Sequence, residues 1–134
     1  MTIERVCVIG MGTMGSQIGI VSARAGFQTF MVDTSKNQIE KGLASIRSFL
    51  KGQEKKGKME REATEKVLSL IHMGKDLGEA SADADMVIEA VYEDIETKKE
   101  VFRSMDKAGP KESILASNTS TLWISEIAAA TKRP

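Results

Sequence analysis

The 134-residue chain carries nineteen basic and nineteen acidic side chains, and this neutral balance argues against a nucleic-acid-binding protein. A chain of this length forms about one domain, and none of its apolar runs approaches the roughly 18 residues of a membrane span. Strand-like residues that begin by Ile3 leave no room for a leader peptide, and the single cysteine, Cys7, favours a reducing compartment, for which we take the cytoplasm.

Strand-like and helix-like segments alternate along the chain. In chain order, the sequence predicts a strand at 4–9, a helix at 13–25, a strand at 27–33, a helix from about Ser35, a helix at about 60–69, a short strand at 69–74, a strand at 85–92, a helix at 95–107, a strand at 113–118 and a helix at 122–131. This alternation predicts an α/β fold, a doubly wound parallel sheet with helices on both faces. The charged stretch at 51–66 is interpreted as the tip of a helical hairpin inserted after the second strand.

Two of the predicted helices carry apolar residues at helical spacing, and these residues are expected to face the core. They are Met14, Ile18, Val21 and Ala25 in the first helix, and Ile39, Leu43, Ile46 and Leu50 in the second. Ser35, directly before the second helix, is a candidate N-cap.

Three glycines, Gly10, Gly12 and Gly15, lie between the first strand and the first helix. A Gly-x-Gly-x-x-Gly pattern alone is a weak signal, but this one follows a strand and opens a helix, as in Rossmann-like dinucleotide-binding folds. Gly10 would allow the tight turn, Gly12 the approach of a pyrophosphate, and Gly15 close packing of the helix on the sheet. The alternative is a glycine-rich turn that binds no ligand.

Asp33, 18 residues after Gly15 and at the end of the second strand, indicates which dinucleotide would bind. A carboxylate there accepts hydrogen bonds from ribose hydroxyls and repels a 2′-phosphate, so NAD is favoured over NADP. Cys7 and His72 are interpreted as structural residues. Met11 and Met14 are interpreted as packing residues of the glycine turn and of the core. No metal site is predicted.

Polar residues follow two later strands whose carboxyl ends should meet the same crevice. After the strand "DMVIEAVY" we expect Glu89, Ala90, Val91 and Glu93 to face the nicotinamide side of the cofactor. After "SILASN" the polar cluster is Ser117, Asn118, Thr119 and Ser120. A second interpretation of this cluster is helix capping, because Ser120 and Thr121 precede the last helix, and one of these residues can cap while another binds.

Together, the stretches "VIGMGTMG", "VIEAVYEDIETKKEVF" and "ILASNTSTL" resemble the L-3-hydroxyacyl-CoA dehydrogenase family in order and spacing, and the resemblance covers the whole chain. It implies an NAD-binding domain in which Ser120 is catalytic and hydrogen-bonds the reacting oxygen of the substrate. It also implies that Lys98 reaches both NAD and the CoA substrate. The remaining cofactor-binding residues that it implies are Gly10, Met11, Gly12, Thr13, Met14, Gly15, Asp33, Ala90, Glu93 and Asn118.

The helical hairpin resembles the CoA-binding flap of the family, so Lys55, Lys56 and Lys58 are expected to meet CoA phosphates. A solvated turn is the alternative. Members of the family oxidise L-3-hydroxyacyl-CoA with NAD, in fatty acid β-oxidation or hydroxybutyryl-CoA metabolism. They use a histidine–glutamate pair that would follow residue 134, and a helical domain for substrate binding and dimerisation. We therefore expect an inactive N-terminal part of a homodimeric enzyme.

Other functions remain open from the sequence. A non-enzymatic regulatory domain that senses NAD or adenine nucleotides, as in potassium-transport regulation, has about this length. A 3-hydroxyisobutyrate or 6-phosphogluconate type of dehydrogenase shares the glycine motif, and a gulonate-type dehydrogenase is closer still.

Overall fold

The computed structural model describes residues 1–133 as a five-stranded parallel sheet with six helices. The strands are β1 (Arg5–Ile9), β2 (Gln28–Val32), β3 (Ile71–Met73), β4 (Met86–Glu89) and β5 (Ile114–Ser117). The helices are α1 (Thr13–Arg24), α2 (Lys36–Lys55), α3 (Arg61–Ser69), α4 (Leu77–Ser81), α5 (Ile95–Ala108) and α6 (Ile124–Ala128). The strand order β3-β2-β1-β4-β5 confirms the predicted fold class, and it places β1 directly beside β4.

The side chains of β1 alternate between two cores, one on each face of the sheet. Val6 and Val8 belong to the core beneath α1, α2 and α3, whereas Cys7 and Ile9 belong to the core beneath α4, α5 and α6. Because both faces are covered, the strand is continuously apolar rather than alternating between apolar and polar residues.

The buried face of α1 is not the predicted apolar stripe. Met14 and Val21 are exposed, and a Cβ on Gly19 would lie only 2.5 Å from the sulfur of Met31 in β2. The helix therefore packs against the sheet with its small side chains, since only these allow so close an approach. The residues that α1 buries are Gly15, Ser16, Gly19, Ile20, Ser22 and Ala23.

The helical hairpin is longer in helix and shorter in turn than predicted. Ser35 is the N-cap of α2, with its hydroxyl accepting from the backbone N–H of Gln38 at 3.3 Å. The helix then continues to Lys55, so Gly52 lies inside it and the turn is confined to 56–60, where Gly57 has a φ of +67°. The stretch expected to turn is rich in lysine, glutamate and glutamine, which are good helix formers.

One helix was absent from the sequence-based expectation. α4 follows β3, and the carboxylate of Asp76 caps it by accepting from the backbone N–H of Glu79 at 2.9 Å. Strands β4 and β5 also end earlier than predicted, at Glu89 and Ser117, and α6 begins only at Ile124. The shorter strands leave two loops, 90–94 and 118–123, at the carboxyl end of the sheet.

Cys7 and His72 both have structural surroundings. Cys7 is fully buried in the sheet, and burial raises the pKa of its thiol to about 11. His72 lies on the edge strand β3, where Nε2 is 2.6 Å from Oε1 of Gln28 and the ring stacks on Phe30. None of the helices within residues 1–133 is long and apolar enough to cross a membrane.

Candidate functional site

A cavity of about 1110 Å³ opens at the carboxyl ends of the strands, between the loops that leave β1 and β4. These loops lead to helices on opposite faces of the sheet, and a doubly wound fold binds its ligand at such a switch point. Residues from all five strand ends line the cavity. They are Ile9, Gly10, Gly12, Thr13, Met14, Val32, Asp33, Thr34, Ser35, Asn37, Gln38, Lys41, Lys75, Asp76, Leu77, Ala90, Val91, Tyr92, Glu93, Thr97, Val101, Asn118 and Ser120.

Gly10 and Gly12 line the cavity, whereas Gly15 is buried beneath them. Gly10 has a φ of +101°, and a Cβ there would lie 2.6 Å from the carbonyl oxygen of Ala90. A Cβ on Gly15 would lie 1.8 Å from the carbonyl oxygen of Gly10, so α1 rests directly on the turn. Both residues must be glycine for the turn and helix to fit together at all.

Gly12 is different, because a Cβ built on it would have no atom of residues 1–133 within 4 Å apart from those of Gly12 and its immediate neighbours in the chain. It is the N-cap residue of α1, and within the same residues no side chain caps this helix. The first N–H groups of α1 therefore face open space beside Gly12, which suits an anionic phosphate group. The described residues thus fit the pyrophosphate of a dinucleotide.

Asp33 lies at the end of β2 and joins the glycine turn to the start of α2. Its Oδ2 accepts from the backbone N–H of Met11 at 2.8 Å, and its Oδ1 accepts from that of Ser35 at 2.9 Å. A carboxylate oxygen has two lone pairs, so each oxygen retains capacity to accept from a ligand hydroxyl. The carboxylate is held in place before any ligand arrives.

At the opposite end of the cavity, Glu93 ties the loop after β4 to the loop after β5. Its Oε2 accepts from the hydroxyls of Thr119 and Thr121, each at 2.8 Å. These hydroxyls, followed by the ammonium of Lys98, hold the pKa of Glu93 below its ordinary value of 4.5. Glu93 is therefore an anion at neutral pH, beside the exposed side chains of Asn118 and Ser120.

The capping alternative for Ser120 and Thr121 is wrong. The N-cap of α6 is Trp123, which makes no side-chain cap among the described residues, and the N–H of Leu122 is bound by the hydroxyl of Thr119. Trp123 itself is 76% exposed. The loop thus leaves Ser120 free to face the cavity.

Lys98 does not line the cavity, in contrast to the direct ligand contact that the resemblance implies. Its ammonium is buried and lies 2.6 Å from Oε1 of Glu89, 3.1 Å from Oε1 of Glu93 and 3.2 Å from the carbonyl oxygen of Val91. The contacts with Glu89 and Val91 are hydrogen bonds and the contact with Glu93 is an ion pair, so the ammonium is surrounded by protein partners. Glu89 is also fully buried behind the wall rather than facing the crevice.

The remaining predicted residues divide into two groups. Met11 and Gly15 are buried beneath the glycine turn and support it through packing. Lys55, Lys56 and Lys58 are exposed around the hairpin turn and do not line this cavity.

The sequence did not predict several of the residues that line the cavity. Lys41 on α2 and Lys75 after β3 place two cations on the wall that also carries Asp33, and Tyr92 and Thr97 add to the opposite wall. The rule that ligands bind beyond the carboxyl ends of strands applies equally to β3, so it points to Lys75. The Asp-x-x-Glu spacing of Asp76 and Glu79 is a helix-start signal that points to α4.

Comparison with known proteins identifies one family. The family model described as 3-hydroxyacyl-CoA dehydrogenase, NAD binding domain, matches residues 5–134. A probable 3-hydroxybutyryl-CoA dehydrogenase of Bacillus subtilis is 41% identical over all of this chain, which spans 46% of that protein. A glyoxysomal fatty acid beta-oxidation multifunctional protein, MFP-a, of Brassica napus is 38% identical over 97% of this chain, which covers 18% of it.

The crystal structure of FadB2 of M. tuberculosis has the same fold. It superposes with a TM-score of 0.96 at 38% sequence identity, over all of this chain and 47% of that one. The chain thus spans about half the length of the single-enzyme relative and of the solved structure, and a smaller part of the multifunctional protein.

Proposed function

The chain belongs to the 3-hydroxyacyl-CoA dehydrogenase family as its NAD-binding domain, and from this we propose that in a longer protein it serves the oxidation of L-3-hydroxyacyl-CoA to 3-ketoacyl-CoA. The family is the one that the three motifs resemble, and its NAD-binding domain confirms the predicted cofactor. The observation that carries the proposal is the cavity, which has Gly12 and Asp33 at one end and Asn118 and Ser120 at the other.

The cofactor-binding roles follow the length of the cavity. The open N–H groups beside Gly12 would bind the pyrophosphate, and Asp33 would accept from the hydroxyls of the adenosine ribose. Ala90, Glu93 and Asn118 would then line the nicotinamide half. Bound NAD supplies the hydride acceptor, so the residues of the chain have only to bind, orient and hydrogen-bond.

Ser120 would donate its hydroxyl proton in a hydrogen bond to the substrate oxygen that becomes the ketone. Its support is its place on the cavity wall, beyond the proposed nicotinamide site. The reaction also needs a base for the hydroxyl proton. His72 is the one histidine of the sequence, and it lies on the edge strand bound to Gln28. We propose that a base beyond this chain completes the site.

The hairpin would supply the binding surface for CoA. Lys55, Lys56 and Lys58 surround its turn and are exposed, as cations that meet phosphates must be. A homodimeric parent and a cytoplasmic location complete the proposal. For the location, the support is the free and buried thiol of Cys7, which suits a reducing compartment.

The proposal is tested by separating binding from turnover. Calorimetric titration of the 134-residue chain should show NADH binding. Acetoacetyl-CoA and NADH should give no detectable turnover, because the missing group would have to donate a proton to the new hydroxyl in this direction, and its absence alone costs about 10²–10⁴ in rate. Absence of binding up to about 1 mM NADH, the upper end of ordinary KM values, would contradict the proposal.

Ser120 is tested in a protein that continues beyond this chain and is active. Ser120→Ala should lower kcat/KM by about 10²-fold or more, as loss of a donor to a developing oxyanion does, with the Kd for NADH unchanged. Ser125→Ala, an exposed serine on α6, is the matched control and should retain full activity. Equal activity of the two variants would remove Ser120 from the mechanism.

A further inference from the structure

A buried carboxylate, Glu89, sits behind the end of the cavity that carries Glu93, Asn118 and Ser120. It is the last residue of β4 and is fully buried. Its Oε1 accepts from the ammonium of Lys98 at 2.6 Å and from the backbone N–H of Val91 at 2.7 Å. Its Oε2 accepts from the hydroxyl of Ser117 at 2.6 Å.

These contacts join the two loops of that wall through one side chain. The hydroxyl of Ser117, having donated to Glu89, accepts from the backbone N–H of Thr119 at 3.2 Å, which sets the start of the loop after β5. The ammonium of Lys98 continues to the carbonyl oxygen of Val91 and to Glu93, which sets the loop after β4. Every one of these bonds lies on the same side of the cavity, away from Asp33.

Packing alone does not account for such a pair. Removing two charges from water is costly, and apolar residues of similar volume often give equal or greater stability. Here the charges instead hold the polar groups of the two loops in place. Glu89 is bound to the loop after β4 directly and through Lys98, and to the loop after β5 through Ser117. The two loops thus hold a single arrangement without a ligand.

We propose that Glu89 is a positioning residue for the nicotinamide half of the cofactor site, acting through Lys98 and Ser117. It orders the 90–94 and 118–123 loops, so that Glu93 and Asn118 meet the ligand without further ordering. The inference rests on the proposed function, in which the nicotinamide half lies at this end and the adenosine half lies by Asp33.

The test compares two ligands on the 134-residue chain by calorimetry. ADP carries the adenosine and pyrophosphate groups alone, whereas NADH carries the nicotinamide half as well. Glu89→Gln keeps the side-chain volume and removes the charge. It should weaken NADH binding by about tenfold, the effect of losing one charge-assisted contact, while ADP binding stays within about twofold. Glu126→Gln, a carboxylate bound to Lys99 outside the cavity, is the matched control and should bind both ligands as the unaltered chain does.

A charge-balanced variant keeps the test decisive if Glu89→Gln fails to fold. The double variant Glu89→Gln/Lys98→Met removes both buried charges, so no unpaired charge is left in the interior. Its Tm should therefore be close to that of the unaltered chain, and the selective loss of NADH binding should persist. Equal weakening of NADH and ADP, or full NADH affinity in both variants, would overturn the positioning role. Failure of the unaltered chain to bind either ligand would instead overturn the proposed function.

Discussion

Replacing Gly12 by alanine should abolish tight cofactor binding while leaving the fold intact. The residue has φ −69° and ψ −167°, which alanine adopts freely. A Cβ built there meets no atom of residues 1–133 within 4 Å apart from those of Gly12 and its immediate neighbours in the chain. The added methyl group therefore enters only the space that the proposed pyrophosphate would occupy.

The magnitudes follow from these two facts. An alanine N-cap costs about 0.5–1 kcal/mol relative to better caps, and the lower entropy of the unfolded chain offsets about 0.4–1 kcal/mol. The free energy of unfolding should thus change by less than about 1 kcal/mol. Displacing the phosphates from the helix N–H groups should cost about 1.5–3 kcal/mol, or about 10- to 140-fold in the Kd for NADH.

The assay pairs thermal unfolding with NADH titration on three glycine variants. Gly12→Ala should change Tm by no more than about 4 °C and bind NADH weakly. In Gly15→Ala the free energy of unfolding should fall by about 3 kcal/mol or more, because the new Cβ would clash with the carbonyl group of Gly10. Gly52→Ala is the control: it lies inside α2 in open space among the described residues, so it should bind NADH normally and gain roughly 0.5–1 kcal/mol.

NADH binding by Gly12→Ala as tight as that of the unaltered chain would contradict a pyrophosphate site beside Gly12. The methyl group would then not meet the ligand, and the phosphates would lie elsewhere. A large loss of Tm in the same variant would show that the open space beside Gly12 is filled by the protein in solution.

Three further predictions concern single side chains. Asp33→Ala should weaken NADH binding roughly tenfold. It should also reduce the preference of the site for NADH over NADPH, because the carboxylate that repels a 2′-phosphate is gone while Lys41 remains on the cavity wall. An unchanged ratio of the two Kd values would contradict this. Cys7, with its pKa raised to about 11 by burial, should be roughly one thousandth ionised at pH 8 and should react with a disulfide reagent only after denaturation; rapid labelling of the native chain would show that the thiol is accessible. The backbone N–H of Lys132, followed by the side chain of Arg133, lowers the pKa of Asp106 from 3.8. The ionised form therefore stabilises the fold above the ordinary pKa, and that contribution is lost as the pH falls through the lowered value. Tm should therefore fall as the pH drops below about 3.8, less steeply in Asp106→Asn, and an identical slope in the variant would argue against this contribution.

Features that depend on local geometry were predictable from the sequence. A glycine turn between strand and helix, a carboxylate at the next strand end and a serine before a helix each depend on a few neighbouring residues. Gly10, Asp33 and Ser35 accordingly lie in the structure where their sequence context indicates.

The prediction of which face of α1 is buried was wrong for a physical reason. Periodicity weighs side chains by their hydrophobicity, and Met14 and Val21 score highly by that measure. Close packing on the sheet selects instead for small side chains such as Ser16 and Gly19, because they bring the helix axis nearer to the strands.

The position of Lys98 was unpredictable for another reason. Whether its ammonium meets a ligand or a buried partner depends on where Glu89 and Glu93 lie, and these are held at the end of β4 by the sheet. Such a competition between partners is decided only in the folded molecule. The cations Lys41 and Lys75 likewise reach the cavity from separate elements.

The exposed indole of Trp123 gives the molecule an optical property. It is the one tryptophan of the sequence, and it is the last residue of the 118–123 loop that carries Ser120, at the end of the cavity assigned to the nicotinamide half. Indole emission overlaps the absorption band of reduced nicotinamide, so a bound reduced cofactor would receive excitation energy from this side chain. This intrinsic donor would require no label, and its quenching would distinguish reduced from oxidised cofactor, because the oxidised ring lacks that absorption band.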